Sequence, residues 1–369
     1  MNGEVIFFRL TDVGRSIDLK EVRKIIPAIH DKKIIKTKDT PSYVDFPIPL
    51  LLEVTQKISS ELKNIEDISL HIKLYSEGVI SLIARLVFRD LPFKDLHTIR
   101  RIKFKTVHGE FTINNFLKYH YNEVFNQIKG CISEEGFIFG ESEYEKYTIY
   151  CITDDIENPE EFIESEKNYI SALFMGEKPE LNLSKDHVNK ILRKPFSFLD
   201  NDMVILDFDR GLIIDPNYDY EDILLVVEIA NYQLLELRAL DKLLDRRLAI
   251  AEEDIHKIYF KSSSLFKRFK RKVGRLIRLS YDLLFLLENI ENVSKLIGDY
   301  YLADIYTYLG ELFQLKQWSE SIRHRLETIE NIYNVTQTNI NEKFLLYVEI
   351  LLSFIFIMEF VLLLLDFIL

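Results

Sequence analysis

The chain has 369 residues, 47% of them hydrophobic, and a formal net charge of −12, a length and apolar content that bury a sizeable core and exclude disorder over most of the sequence. Only 12 Gly and 9 Pro stand beside 26 Phe and 19 Tyr, which favours long regular elements over a loop-rich sandwich. The acidic balance excludes general nucleic-acid affinity, leaving at most a local basic patch for phosphate, and two cysteines, Cys131 and Cys151, are too few for a disulfide framework or a metal knuckle.

The opening MNGEVIFFRL reaches charge after a short alternating run, without the apolar core of a secretory signal or the Arg/Ser bias of a transit peptide, so synthesis and folding in the cytoplasm are expected. Val5 to Leu10 reads as a strand, and Asp18 to Ile26 as a helix stopping before Pro27. Phe46 to Lys63 is ambiguous between strand and helix. Ser69 to Tyr75 and Val79 to Leu86 are strand-like runs joined by Ser76-Glu77-Gly78, with Gly where a hairpin needs positive φ. Phe93 to Arg101 and Ile113 to Lys129 read as helices and Tyr144 to Thr153 as a strand, a pattern that fits a small sheet covered by helices. A second α/β stretch carries helices near Pro159 to Phe174 and Ser184 to Arg193. It closes on a hairpin of Asp202 to Asp207 with Gly211 to Ile214. Asp207, Asp209 and Asp215 around its turn lack the Gly and terminal Glu of a calcium loop, so no metal is assigned there.

From Tyr220 helical periodicity dominates and Pro is absent. The first long helix, about Tyr220 to His256, is long enough to project as a stalk. Glu228, Asn231, Arg238, Asp241 and Asp245 recur along one stripe of it. The spacing suits either a buried charge network that fixes helix register or a solvated face with intrahelical pairs. A dense basic run follows: Lys267, Arg268, Lys270, Arg271, Lys272, Arg275 and Arg278. Interleaved Phe266, Phe269, Leu276 and Ile277 make it amphipathic, so membrane lipids with anionic headgroups are its first expected partner and RNA or the ribosome the second; neutralisation by the acidic stripe is the structural alternative.

From Phe344 to Leu369 nearly every residue is apolar, more than the roughly twenty needed to cross a bilayer. Glu349, Glu359 and Asp366 interrupt the run. A central carboxylate costs on the order of 3 kcal/mol, whereas each Leu, Ile, Phe or Val contributes roughly −0.3 to −0.6 kcal/mol, so insertion stays favoured. Glu359 and Asp366 share a helical face that protonation or burial in an oligomer would shield. Lys343, Arg323 and Arg325 precede the span and no basic residue follows it, so the sequence predicts a single-pass C-terminal anchor with the bulk of the chain cytoplasmic.

The last third resembles the YagE-like family, whose eukaryotic members are named for being required for meiotic nuclear division. The likeness rests on Gly298-Asp299 before a tyrosine-rich helix, Trp318, the pattern Leu326 to Tyr333, the apolar tail with its internal Glu359, and the helix Ala230 to Leu248. The sequence departs from the family pattern at Asp304, where a basic residue is expected. The resemblance implies a membrane-associated protein with an α/β head, a helical stalk and a terminal transmembrane helix, and carries no catalytic motif.

The expected class is therefore α+β: an α/β segment over 1–140, a second over 141–219, a helical stalk or bundle over 220–342, and a transmembrane helix over 343–369. The expected function is a non-enzymatic, homo-oligomeric, membrane-anchored scaffold or assembly protein without cofactors. The alternative is cation transport of the CorA type through intramembrane carboxylates, although the Gly-Met-Asn sequence of those channels is missing. An enzyme is not expected, because the phosphate-binding Walker loop, Gly-x-Gly-x-x-Gly, His-Glu-x-x-His and Gly-x-Ser-x-Gly are all absent from the chain.

Overall fold

A computed structural model describes residues 1–31, 49–60, 64–133, 144–177, 183–260, 284, 287 and 299–368. They form an α+β protein divided into two compact units, Met1–Leu240 with Leu287–Ser319, and Asp241–Leu286 with Glu320–Leu369.

The first unit opens with β1 (Gly3–Asp12), β2 (Ser16–Ile17), α1 (Leu19–Ile25) and β3 (His30–Asp31). The Asp18 carboxylate caps α1 by accepting from the backbone N–H of Lys20 and Glu21 at 3.0 and 3.2 Å, satisfying amides that have no partner within the helix. Next come β4 (Leu50–Lys57), β5 (Ser59–Ser60), β6 (Ile65–Leu74), β7 (Val79–Phe88), α2 (Leu96–Ile99), β8 (Lys103–Thr106), β9 (Gly109–Thr112), α3 (Ile113–Ile128) and β10 (Ile132–Ser133). The ambiguous segment around Leu50 is thus a strand. β11 (Tyr144–Ile152), α4 (Pro159–Met175), α5 (Lys185–Ile191), β12 (Met203–Leu206) and β13 (Arg210–Ile214) complete this part.

Eight strands share one sheet in the order β12-β13-β11-β1-β7-β6-β4-β3, antiparallel except where β13 runs parallel to β11. Smaller ladders join β10 to β2, and β5, β8 and β9. The boundary expected at residue 140 therefore runs through a single sheet: β11 pairs with β1 from Gly3↔Ile152 to Thr11↔Tyr144. Every residue of β1 is buried, the pattern of a strand covered on both faces. One face carries Val5, Phe7, Leu70, Ile72, Leu82, Ala84, Tyr150 and Leu212, packed against Val22 of α1, Leu96 and Ile99 of α2, Phe116 of α3 and Ile170 of α4.

The opposite face receives the start of α6 (Glu221–Phe260), and α7 (Tyr300–Leu312) packs in the same unit. Residues 221–240 belong to this unit instead of standing apart from it, which corrects the division expected at 219 and the reading of this stretch as a projecting stalk. Val226, Val227, Ile229, Ala230, Leu234, Leu235 and Leu237 bury nearly all sides of the helix, and a helix apolar all round is driven into a core. Tyr232 packs against Tyr75 in a tilted arrangement with ring centroids 5.3 Å apart.

The second unit consists of the remainder of α6 and most of α8 (Leu315–Ile368). Leu243, Leu244, Ile322, Leu326 and Ile329 are buried here. Arg325 of α8 bridges Asp245 and, at 3.3 Å, Asp241.

Candidate functional site

The residues of the polar stripe on α6 have distinct surroundings. Glu228 is 1% exposed and sits on the sheet, where it accepts from Lys73 Nζ, from Tyr75 Oη at 3.1 Å and from Ser81 Oγ at 2.7 Å. Lys73 is itself 3% exposed. Lys73 and Ser81 lie opposite each other across β6 and β7, so one strand pair supplies both donors on the face that α6 covers. Burial, reinforced by the Glu228 charge, pushes the Tyr75 hydroxyl far above its ordinary pKa, which keeps it a donor. Asn231 is buried and donates through Nδ2 to the Val227 carbonyl at 2.9 Å. Arg238 pairs with Glu145 of β11 at 2.6 Å and lies 5.9 Å from the centre of the Trp318 ring. Asp241 and Asp245 meet Arg325 in the second unit. The stripe thus has protein partners along its length.

Sequence reasoning missed those partners, because Lys73 and Ser81 occupy alternate strand positions that ordinarily face water. It also missed Glu236, one turn and more beyond Asn231. Burial, with the charges of Asp12 and Glu77, raises the Glu236 carboxyl well above the ordinary carboxylate range, so it is held protonated. At the other end of the same sheet face, Glu4 receives Arg85 through Nε at 2.9 Å and through Nη2 at 2.5 Å, and the Tyr220 hydroxyl at 2.7 Å. Arg85 also reaches Glu221 at 2.6 Å. These groups border an open cleft of about 630 Å³, whose charges are mutually neutralised.

Asp207, Asp209 and Asp215 do not converge. Asp215 accepts from the backbone N–H of Asn217 and Asp219, both at 2.8 Å, and Asp209 lies 3.5 Å from Arg210. Among the described residues no group of three or more His, Cys, Asp or Glu is arranged to hold a metal ion. Cys131 and Cys151 are free thiols. The basic run Lys267, Arg268, Lys270, Arg271, Lys272, Arg275 and Arg278 lies outside the described residues.

In the second unit, Phe344–Leu362 of α8 is long and apolar enough to cross a membrane, and it is wholly exposed. Its 19 residues span about 28 Å at 1.5 Å each, close to the roughly 30 Å of a hydrocarbon core. Phe354, Phe356 and Phe360 are each more than 60% exposed, an apolar patch of the kind that marks protein or membrane contact sites. Glu349 and Glu359 are exposed on this stretch. Asp366 follows in the same helix, its side chain outside the described set.

No solved structure matches the chain. The "Uncharacterized protein MJ0711" of Methanocaldococcus jannaschii is 27% identical over 326 residues, covering 87% of this chain and 88% of its own length. The family described as "Uncharacterized protein MJ0711, N-terminal domain" matches residues 2–221, which take in the whole eight-stranded sheet and the first residue of α6. On that match the chain belongs to the MJ0711 N-terminal domain family.

Proposed function

We propose that this protein is a non-enzymatic, membrane-anchored assembly protein, held at a bilayer by the C-terminal part of α8 with its first unit in the cytoplasm. The exposed apolar surface of Phe344–Leu362 is the observation that carries the reading. Self-association in the membrane shields Glu359 and Asp366, whose carboxyl groups cost several kcal/mol exposed to lipid. Lys343, before the span, supports an orientation with the bulk of the chain inside. The resemblance of the last third to the YagE-like family is part of this proposal, as is the absence of a catalytic role.

The test is fractionation of cells making the full chain. After carbonate washing and ultracentrifugation the protein is expected in the pellet, and in mild detergent it is expected to sediment as an oligomer. Recovery in the carbonate supernatant overturns the anchor. A monodisperse monomer in several detergents overturns the assembly role.

Cation transport is the second reading, favoured by the two glutamates in the apolar stretch. It predicts ion flux in proteoliposomes that Glu359→Gln abolishes, and absence of flux retires it.

A further inference from the structure

The sheet face opposite α6 carries an unusual density of positive charge. Arg9 of β1 and Lys146 of β11 are register partners, and Arg210 opens β13, next to β11. Arg100 follows α2 and points to the same region. Arg9 is 8% exposed and Arg210 5%, and in both the buried Nε has no hydrogen-bond partner. Arg9 is flanked by aromatic rings, 4.4 Å from the centre of Tyr144 and 5.6 Å from that of Tyr121. Arg210 donates through Nη1 to the carbonyls of Leu173 and Phe174 at the end of α4, and among the described residues its carboxylate contact is Asp209 at 3.5 Å. Arg100 has no carboxylate partner among the described residues.

Arg100 and Arg210 converge on Gly176. A Cβ added at Gly176 would stand 2.8 Å from Nη2 of Arg210 and 3.1 Å from Nη1 of Arg100, so the two guanidinium groups pack against the glycine where any side chain would collide with them. Gly176 also ends α4 at a φ of 72°, where glycine is favoured. Beside Gly176 lies a cleft of about 320 Å³, lined by His97, Arg100, Arg101, Asn114, Tyr150 and Leu173, without a carboxylate among these residues. Asn114 lies in the first turn of α3, so the cleft borders the positive end of that helix. Two like charges this close repel each other, burial disfavours the Arg210 charge, and among the described residues the carboxylate that offsets it is Asp209, 3.5 Å from Arg210 Nη2. A doubly charged oxyanion supplies what is missing: several acceptor oxygens, in a geometry that two planar guanidinium forks match.

We infer that the cleft lined by His97, Arg100, Arg101, Asn114 and Gly176 is a binding site for a phosphoryl group, carried either by a small soluble phosphate compound or by a lipid headgroup. Arg100 and Arg101 clasp the phosphoryl oxygens, Arg210 adds its charge from beside Gly176, and Asn114 in the first turn of α3 adds a neutral donor. A cleft of this volume is at the lower end of small-molecule sites, room for the phosphoryl group and a modest appendage.

The test uses the full chain in detergent, following its thermal midpoint at constant ionic strength against inorganic phosphate, a nucleoside monophosphate and phosphatidic acid in mixed micelles. A saturable rise is expected. Arg100→Gln should weaken it at least tenfold while leaving the ligand-free midpoint unchanged or higher, because a like-charge contact is removed. Asn114→Asp, at an exposed first-turn position where an acid is tolerated, should also suppress the response by placing a carboxylate in the cleft. Lys20→Gln, in α1, should change nothing. A response to inorganic phosphate or the nucleotide identifies a soluble ligand, and a response confined to phosphatidic acid identifies a headgroup. No saturable response to any of the three, or equal responses from the parent and Arg100→Gln, overturns the site.

Discussion

Lys73 and Glu228 form a buried pair whose oxygens are fully occupied by three donors. Such a pair adds little net stability relative to well-packed apolar side chains, yet removing one partner strands the other charge away from water. Glu228→Ala is therefore expected to lower the unfolding free energy by about 3–5 kcal/mol, whereas the double variant Lys73→Met with Glu228→Leu should recover most of it. Urea unfolding of the two variants checks both. Glu236 makes the opposite prediction with pH. Its carboxyl titrates well above the ordinary value of 4.5, so the stability tied to its protonated form is fully present below that value and is lost as pH rises through the folded-state pKa. Glu236→Gln removes this loss. The variant should equal the parent near about pH 4 and exceed it at neutral pH, by about 1.4 kcal/mol for each tenfold change in the acidity constant that neutral pH exposes. Thermal midpoints across that range measure it.

At the scale of elements, the β6–β7 hairpin depends on one glycine. Gly78 adopts a φ of 95°, and a Cβ there would overlap the Gly14 carbonyl. That same turn also holds the end of β1, since Val13 N–H donates to the Gly78 carbonyl at 2.9 Å. Gly78→Ala should cost of order 1–3 kcal/mol from the strained backbone alone and more from the overlap. Gly130, where an added Cβ meets nothing within 4 Å, provides the control: Gly130→Ala should fall within about 0.5 kcal/mol of the parent. Thermal unfolding compares the two. This turn was legible in the sequence because Ser76-Glu77-Gly78 fixes its geometry over a few bonds, as do the Asp18 and Asn158 side chains that cap α1 and α4. The start of α6 was legible as a helix but not as a buried one. What it packs against is a sheet assembled from strands far away in the chain.

For the whole molecule, the proposed anchor rests on the exposed apolar stretch Phe344–Leu362 of α8. If the hydrocarbon core holds Phe344–Leu362, positive charges on one face of its middle should release the chain. Leu351→Arg with Ile355→Arg adds roughly 2.5–3.5 kcal/mol per residue at the helix centre, so the doubly substituted protein should move from the carbonate pellet to the supernatant. Retention in the pellet would show that something other than insertion of this helix holds the protein there.

The sequence by itself determined the local features: the α+β class, the hairpin at Gly78, most helices and the apolar run in α8. Each of these follows from side-chain periodicity and turn chemistry within a few residues. Tertiary structure alone decided that one sheet spans residues 3–214, with β1 at its middle, and that α6 begins inside the same unit. It also brought Lys73 to Glu228 across 155 positions and Arg100 toward Arg210 beside Gly176. Polar side chains carry no periodic signal for their partners. The charges that look solvated along the chain acquire a role only when strand pairing and helix packing remove them from water and choose what they face.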